Sequence, residues 1–493
     1  MSQPVRTYLE IGTGDFDTLN DRFAQRAHWR GMSIEALPEH FQRLLKLPKN
    51  HYLNAVCLAS EATKCDFHYV PSDAIKQHEL PAWLRGCGSV DKTLQPSLRA
   101  YNEHVVTMQL PVVSISDVLK HDIFQDPFTG RTHIDLVKID TEGYDLTLVY
   151  AILDITCPTH LIFETWGIKP EDFTKLDARL TALGYHCVGS VGDNVQYSRP
   201  SVLLIGEANW STGSIAKDLI HLSTWDARFL DWGNRPADLD ASLSEYDAVV
   251  VFCLISPTAW PELSRHGVIC CGPCEMNQPW WQKLQGVQPG GCFGAVSHEC
   301  YQAVLKASAG RPVYYTPATA RLSRFKQHTT RKEIATLGWC GIPDSAVNFG
   351  SDLKRHSMFL EITAVTGFQP HVSGRRFTYD TMQAFYDSID MLVCTSVSEG
   401  GPLPVFEAIA CGVPVISTPV GLVNEMASIG KFQTAREAID LVQLLRDPSV
   451  RQQYAADQYT ELKSISMEGL IHYWDRFFQA CSRRQPTPVF LSL

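Results

Sequence analysis

Two carboxylates, Glu399 and Glu407, bracket a glycine turn in the stretch Ser398-Glu399-Gly400-Gly401-Pro402-Leu403-Pro404 and the residues after it. Gly400 and Gly401 let backbone N–H groups approach a ligand, and a helix starting after them turns its positive end toward an anion. Carboxylates beside such a site are poor phosphate ligands but good acceptors for sugar or ribose hydroxyls. A loop that offers both suits a nucleotide-sugar. A second acidic group lies in Asp140-Thr141-Glu142-Gly143, and a third pattern runs Glu10-Ile11-Gly12-Thr13-Gly14-Asp15 with Glu35 about 20 residues on. A glycine turn after a strand, then a strand ending in a carboxylate, is the general way of cradling a nucleoside. The third glycine of the dinucleotide fingerprint is missing, so no NAD site is read there.

These groups need strands and helix starts to hold them. Met391 to Cys394 is a short apolar run suited to a central parallel strand, Pro404 suits a first helical turn, and Gly412 closes that helix. Val413 to Ser417 reads as the next strand. Near the start, Tyr8 to Ile11 and Gly31 to Leu37 read as strands, followed by 51–58, 67–70, 105–115, 134–139 and 161–164. Ligands of open α/β sheets bind at the carboxyl ends of strands, so Asp140 and Glu142 are expected at the same rim as Gly12, Gly14 and Glu35. His133 opens its strand at the far end and is expected to be structural. Pro200 closes this unit, and 201–207 begins a new sheet continued by strands at 247–254, 267–271, 292–297 and 312–316. A basic, polar hinge follows at 323–332.

At 493 residues with 45% hydrophobic and 19% charged residues, the chain is expected to fold as two to four soluble domains. A net charge of −10 argues against nucleic acid or an anionic membrane as partner. No apolar run is long enough to span a bilayer, and the strand close to the N-terminus leaves neither a signal peptide nor a preceding cofactor lid. Fifteen scattered cysteines, many inside apolar strands, fit a reducing cytoplasm. The lone C-x-x-C at 271–274 lacks a second pair at zinc-ligand spacing, so no metal site is read.

The segment SEGGPLPVFEAIACGVPVISTPVG (398–421) resembles the donor motif of retaining, nucleotide-sugar-dependent glycosyltransferases with the GT-B fold. The resemblance implies that Glu399 contacts and positions the donor sugar, that Gly400, Gly401, Pro402 and Leu403 line sugar and phosphate, and that Glu407 holds the ribose. It also places Lys354 on the donor diphosphate, with Arg355 where the family usually has glycine, and Gly341 at the opening of the donor half. The donor nucleotide, UDP- or GDP-linked, is not fixed, and no metal is expected there. His266 and His298 do not align with the histidine that many members use.

LEIGTGDFDTL (9–19), IEALPEHF (34–41), SISDVL (114–119) and IDLVKIDTEGYD (134–145) resemble the FkbM family of S-adenosylmethionine-dependent O-methyltransferases. The resemblance implies Glu10, Gly12, Thr13, Gly14 and Asp15 around the methionine part of the cofactor and Glu35 on its ribose. Asp140 and Glu142 are the expected base or acceptor-orienting acids. A cation bridging them stays open.

The expectation is therefore an α/β chain of three Rossmann-like domains: a class I methyltransferase fold (1–199), then a two-domain GT-B glycosyltransferase with acceptor half (200–330) and donor half with closing helix (331–482), and a loose tail (483–493). Its expected function is bifunctional and cytoplasmic, building and O-methylating a glycan or a glycosylated small molecule. Two alternatives stand beside it: a non-catalytic carbohydrate-binding second half, or a scaffold in a glycan-assembly complex. An oligomer also stays open.

Overall fold

In the computed structural model, Arg6–Ile11 forms β1, six consecutive buried residues at the centre of a seven-stranded sheet. The structure describes residues 5–14, 18–26, 28–91, 96–235, 239–252, 263, 292–308, 310–327, 333–343 and 352–482. Asp15, His266, the 267–271 strand, the 271–274 cysteine pair and the tail lie outside the described residues.

Strand β2 (Trp29–Glu35) and β3 (His51–Asn54) extend the sheet on one side of β1. Three strands then form a separate small sheet: β4 (Val56–Leu58), β5 (Lys64–Tyr69) and β6 (Val106–Ser114). The main sheet resumes on the other side of β1 with β7 (Leu136–Ile139), β8 (His160–Glu164), β9 (His186–Val191) and β10 (Asn194–Ser198). The order is β3-β2-β1-β7-β8-β10-β9, parallel except that β10 runs antiparallel to both neighbours. The strand order reverses between β1 and β7, which is where an open α/β sheet leaves its crevice. Leu9, Ile11, Val137, Ile139, Leu161 and Phe163 are at most 1% exposed and form the core between sheet and helices.

Three parallel strands follow, β11 (Ser201–Gly206), β12 (Asp226–Asp231) and β13 (Ala248–Val251), in the order β12-β11-β13. A short parallel pair, β14 (Phe293–Ala295) and β15 (Val313–Tyr315), comes next. The last sheet is wholly parallel, with β16 (Thr336–Trp339), β17 (Gln369–Val372), β18 (Met391–Cys394), β19 (Val415–Ser417) and β20 (Gly430–Lys431) in the order β17-β16-β18-β19-β20. The mixed α/β class with parallel sheets is as the sequence indicates. The helix Met467–Cys481 turns back onto the middle sheet, where Trp474, Phe477 and Phe478 bury completely among Val202, Leu204, Ala248 and Val250.

The crevice of the first unit is covered from later in the chain: β4–β6 and the turns between them form a cap with its own small cores around Phe67 and Leu84.

Candidate functional site

At the β1–β7 crevice a cavity of about 470 Å³ opens between the sheet and the cap. Its sheet side is made of Gly12, Thr13, Gly14, Glu35, Lys138, Asp140 and Glu142. Gly12 has φ +79°, and a Cβ there would stand 1.7 Å from the carbonyl oxygen of Asp140, so only glycine brings β1 and β7 this close. The Thr13 hydroxyl donates to the Ile34 carbonyl at 3.0 Å. Glu35 accepts from the Gly14 N–H at 2.8 Å and the Leu37 N–H at 2.8 Å, which fixes its carboxylate at the end of β2.

Glu10 stands behind the cavity rather than in its wall. It is fully buried, accepts from the Leu19 N–H at 3.1 Å and pairs with Lys138 at 3.2 Å. Burial raises its pKa against the opposing pull of Lys138. Its place is to anchor the first helix and to hold Lys138, which does line the cavity.

The helix Asp145–Leu153 starts from Tyr144 without a side-chain cap, and its first residue, Asp145, braces the loop that carries Asp140 and Glu142. That residue accepts from the Thr141 N–H at 3.1 Å, the Thr141 hydroxyl at 2.7 Å and the Glu164 N–H at 3.3 Å. Glu142 sits at φ +54°, held left-handed by the loop. Glu164, at the end of β8, joins Asp140 and Glu142, each with an oxygen within 4.8 Å of the others, so a bridging cation would find three oxygen donors there. Burial, then Glu142 and Asp140, push the Glu164 carboxyl up to about 9. Burial likewise raises Asp140, with Lys138 opposing. Glu164 is readable in the sequence as a strand-end acid; the cap residues Phe67, Trp83 and Arg85 in the same wall carry no sequence signal.

His133 lies at the opposite end of the sheet, as expected. With Asp135 and Asp226 it has the spacing of a metal site, but Asp135 is already paired with Arg6 at 2.7 Å and Arg228 at 3.0 Å, and the Thr159 hydroxyl donates to Asp226 at 2.6 Å. The two arginines and His133 hold Asp135 well below the usual carboxylate range despite its burial. This network ties the first sheet to β12.

In the last sheet, the loop after β18 carries Glu399, Gly400 and Gly401 into the helix Leu403–Ala410. Gly421 lies under it: a Cβ there would be 2.1 Å from the Gly400 carbonyl oxygen. Pro402 caps the helix without a side-chain bond, and Leu403 is buried in the same core as Trp474. Glu399 pairs with Lys354 and accepts from the Ser396 hydroxyl at 2.8 Å. Burial alone would lower the Lys354 pKa; Glu399 outweighs it and raises it. Arg355, expected near a diphosphate, instead donates to the Thr395 carbonyl at 2.7 Å and starts the helix His356–Thr366 from a left-handed φ of +47°. Gly341 follows β16, its N–H donating to the Ser373 hydroxyl at 3.4 Å.

Glu407 is 5% exposed and both its oxygens are engaged, one by Arg324 at 2.9 Å and one by the Tyr386 hydroxyl at 2.7 Å. Arg324 comes from the hinge and stacks on Tyr379 at 3.6 Å, and the Tyr379 hydroxyl donates to Asp218 in the preceding unit. His298 pairs with Glu425 at 2.9 Å on the surface. Among the described residues no helix is long and apolar enough to cross a membrane.

Known proteins give two kinds of match. Among solved structures, a sucrose-phosphate synthase from Thermosynechococcus elongatus is similar at 12% identity and TM-score 0.45, covering 57% of this chain and 98% of that one. A lipopolysaccharide outer core galactosyltransferase, WaaB, is similar at 12% and 0.40, covering 56% and 98%. The C-terminal domain of a glycosyl transferase group 1 family protein from Francisella tularensis is similar at 17% and 0.25, covering 29% and 97%. Similarity this low carries no inference about activity. No curated protein matches the chain. Family models match two separate regions: the methyltransferase FkbM domain over residues 10–187 and glycosyl transferases group 1 over residues 349–444.

Proposed function

We propose that the chain is a bifunctional transferase: an S-adenosylmethionine-dependent O-methyltransferase acting on a sugar or similar hydroxyl, joined to a retaining glycosyltransferase that uses a nucleotide-sugar. Both matched regions come from transferase families. The observation that carries the methyltransferase reading is the single cavity shared by the glycine turn, Glu35, Asp140 and Glu142. S-adenosylmethionine supplies an electrophilic methyl group on a sulfonium. The residues present fit it: the turn from Gly12 to Gly14 lines the cavity, and the Glu35 carboxylate is held in the same wall by the Gly14 N–H, where ribose hydroxyls would meet it. Asp140, its pKa raised by burial, is suited to take the proton of the acceptor hydroxyl. Glu142 orients that hydroxyl, and Glu164, protonated at neutral pH, donates a hydrogen bond beside it. In the second half Glu399 positions the donor sugar, Gly400 to Leu403 line it, Lys354 meets the diphosphate and Glu407 the ribose. The acceptor is a glycan or glycosylated small molecule.

A second reading of that half is favoured by one observation. Glu407 and Glu399 are both satisfied from within the protein, by Arg324 and Tyr386 and by Lys354 and Ser396. A group already paired gains little by binding a hydroxyl. On this reading the half is a non-catalytic carbohydrate-binding module beside an active methyltransferase.

Thermal stabilisation of the full chain separates the two. S-adenosylhomocysteine and a panel of UDP-, GDP-, dTDP- and ADP-sugars are added at 100 times their Kd, where a bound ligand adds about 2.7 kcal/mol to the folded state. Stabilisation by S-adenosylhomocysteine and one nucleotide class, with sugar transfer, supports the bifunctional enzyme. Stabilisation by S-adenosylhomocysteine alone supports the second reading. Stabilisation by none of them rules out both.

A further inference from the structure

The cap over the first cavity has a feature that cofactor binding does not require. Its one-turn helix Ala82–Gly86 buries Leu84 completely in the cap's core, among Val70, Ile75, Cys87 and Leu98. Anchored there, it carries Trp83 and Arg85 on either side of the plug, and both line the cavity. Trp83 is 55% exposed, an uncommon position for so large an apolar ring. Its edge contacts Tyr101, with ring centroids 6.3 Å apart, so the ring is braced from one side. Arg85 is half-buried and, among the described cap side chains in that wall, is the one charged residue beside Val56, Cys57, Leu58, Phe67, Trp83, Cys87 and Val90; a second arginine of the lining, Arg22, comes from the first helix. Across the cavity stand Asp140 and Glu142. A second exposed tryptophan, Trp166, follows β8 by two residues and so stands at the same strand-end rim.

We infer that Trp83 and Arg85 form the acceptor wall of the methyltransferase site, and that the acceptor is a saccharide bearing a carboxylate or phosphate. A sugar ring presents an apolar C–H face that a rigid indole covers at small entropic cost, while its hydroxyl edge stays free. On the sheet side Lys138 is already paired with Glu10, so the carboxylates of Glu35, Asp140 and Glu142 repel an anionic substituent, which the planar Arg85 guanidinium of the cap matches in charge. That polarity turns the substituent toward the cap and a hydroxyl toward Asp140. The inference rests on the O-methyltransferase reading.

The test uses the full chain, unaltered and as Trp83→Ala and Arg85→Gln. S-adenosylhomocysteine affinity is measured by calorimetry. Labelled methyl transfer from S-adenosylmethionine is measured with methyl β-glucoside, methyl β-glucuronide and glucose 6-phosphate. At least one anionic sugar should be preferred over the neutral one by about tenfold in kcat/KM, the size expected of one charge-assisted contact. Which of the two is preferred tells a carboxylate from a phosphate. Arg85→Gln should remove the preference, Arg85→Lys should restore part of it, and Trp83→Ala should raise KM for every sugar used. All variants should bind S-adenosylhomocysteine as the unaltered chain does. Equal use of neutral and anionic sugars, a preference that survives Arg85→Gln, or no methylation of any sugar by a protein that binds S-adenosylhomocysteine overturns the inference. An unaltered chain that binds no S-adenosylhomocysteine overturns the methyltransferase reading beneath it, which is a separate failure.

Discussion

Arg324 holds Glu407 across 83 residues of chain, Nη1 to Oε1 at 2.9 Å, with side chains 9% and 6% exposed. Burial would lower the arginine's pKa, but the glutamate outweighs it and raises it. Removing one member of such a pair strands the other charge. Arg324→Ala should therefore lower stability by about 3–5 kcal/mol, read from urea unfolding. A loss below about 1 kcal/mol would mean that water or Tyr386 satisfies Glu407 alone.

Gly12→Ala should abolish stabilisation by S-adenosylhomocysteine. The added Cβ would meet the Asp140 carbonyl at 1.7 Å, and the backbone φ of +79° is strained for alanine. The chain must part β1 from β7 to admit it, which moves Thr13, Gly14 and Asp140 together. Retained stabilisation by the ligand in a thermal shift assay would contradict this placement of the cofactor.

Glu164→Gln should stabilise the ligand-free protein, increasingly so toward alkaline pH. The Glu164 carboxyl is raised from 4.5 to about 9, so the folded state holds a proton that the unfolded state has released. Stability therefore falls as pH rises from about 4.5 toward 9, and the amide, which never ionises, removes that slope. Melting temperatures of both proteins between pH 5 and 9 check it. Parallel curves would show that Glu164 ionises normally.

Asp140→Asn should reduce methyl transfer by about 10²–10⁴, the usual contribution of a general base, and leave sugar transfer intact. Glu407→Ala should abolish sugar transfer and spare methylation. Both activities are measured on each variant. Equal loss of both in either one would show that the two sites are not independent.

How much of this was legible depended on how local the signal is. The strands at the sheet centres are apolar runs and stand out, as in Tyr8 to Ile11 or Met391 to Cys394. The edge strands β12 and β17, with sequences DARFLD and QPHV, carry too few apolar residues to be read. Pro370 is tolerated in β17 because that strand lies at an edge. The glycine turn, Glu35, Asp140 and Glu142 sit at strand ends where topology delivers them to one crevice. Arg324 on Glu407 and Trp83 over the crevice arrive from distant segments, and no spacing encodes a contact made by folding. Arg355 misleads for a related reason: its charge suggests a phosphate, while the side chain donates to the Thr395 and Ser396 carbonyls just after β18.

The return of Met467–Cys481 onto the middle sheet bears on how the chain is made. Trp474, Phe477 and Phe478 complete the core around Val202, Leu204 and Val250, more than 200 residues upstream. The strands of the first sheet are all present once β10 has left the ribosome. The middle sheet must wait, its apolar face uncovered, until almost the whole of the described chain has been synthesised. Protein stopped before residue 467 would expose that face, and chaperones and proteases would meet the middle sheet long before its covering helix does.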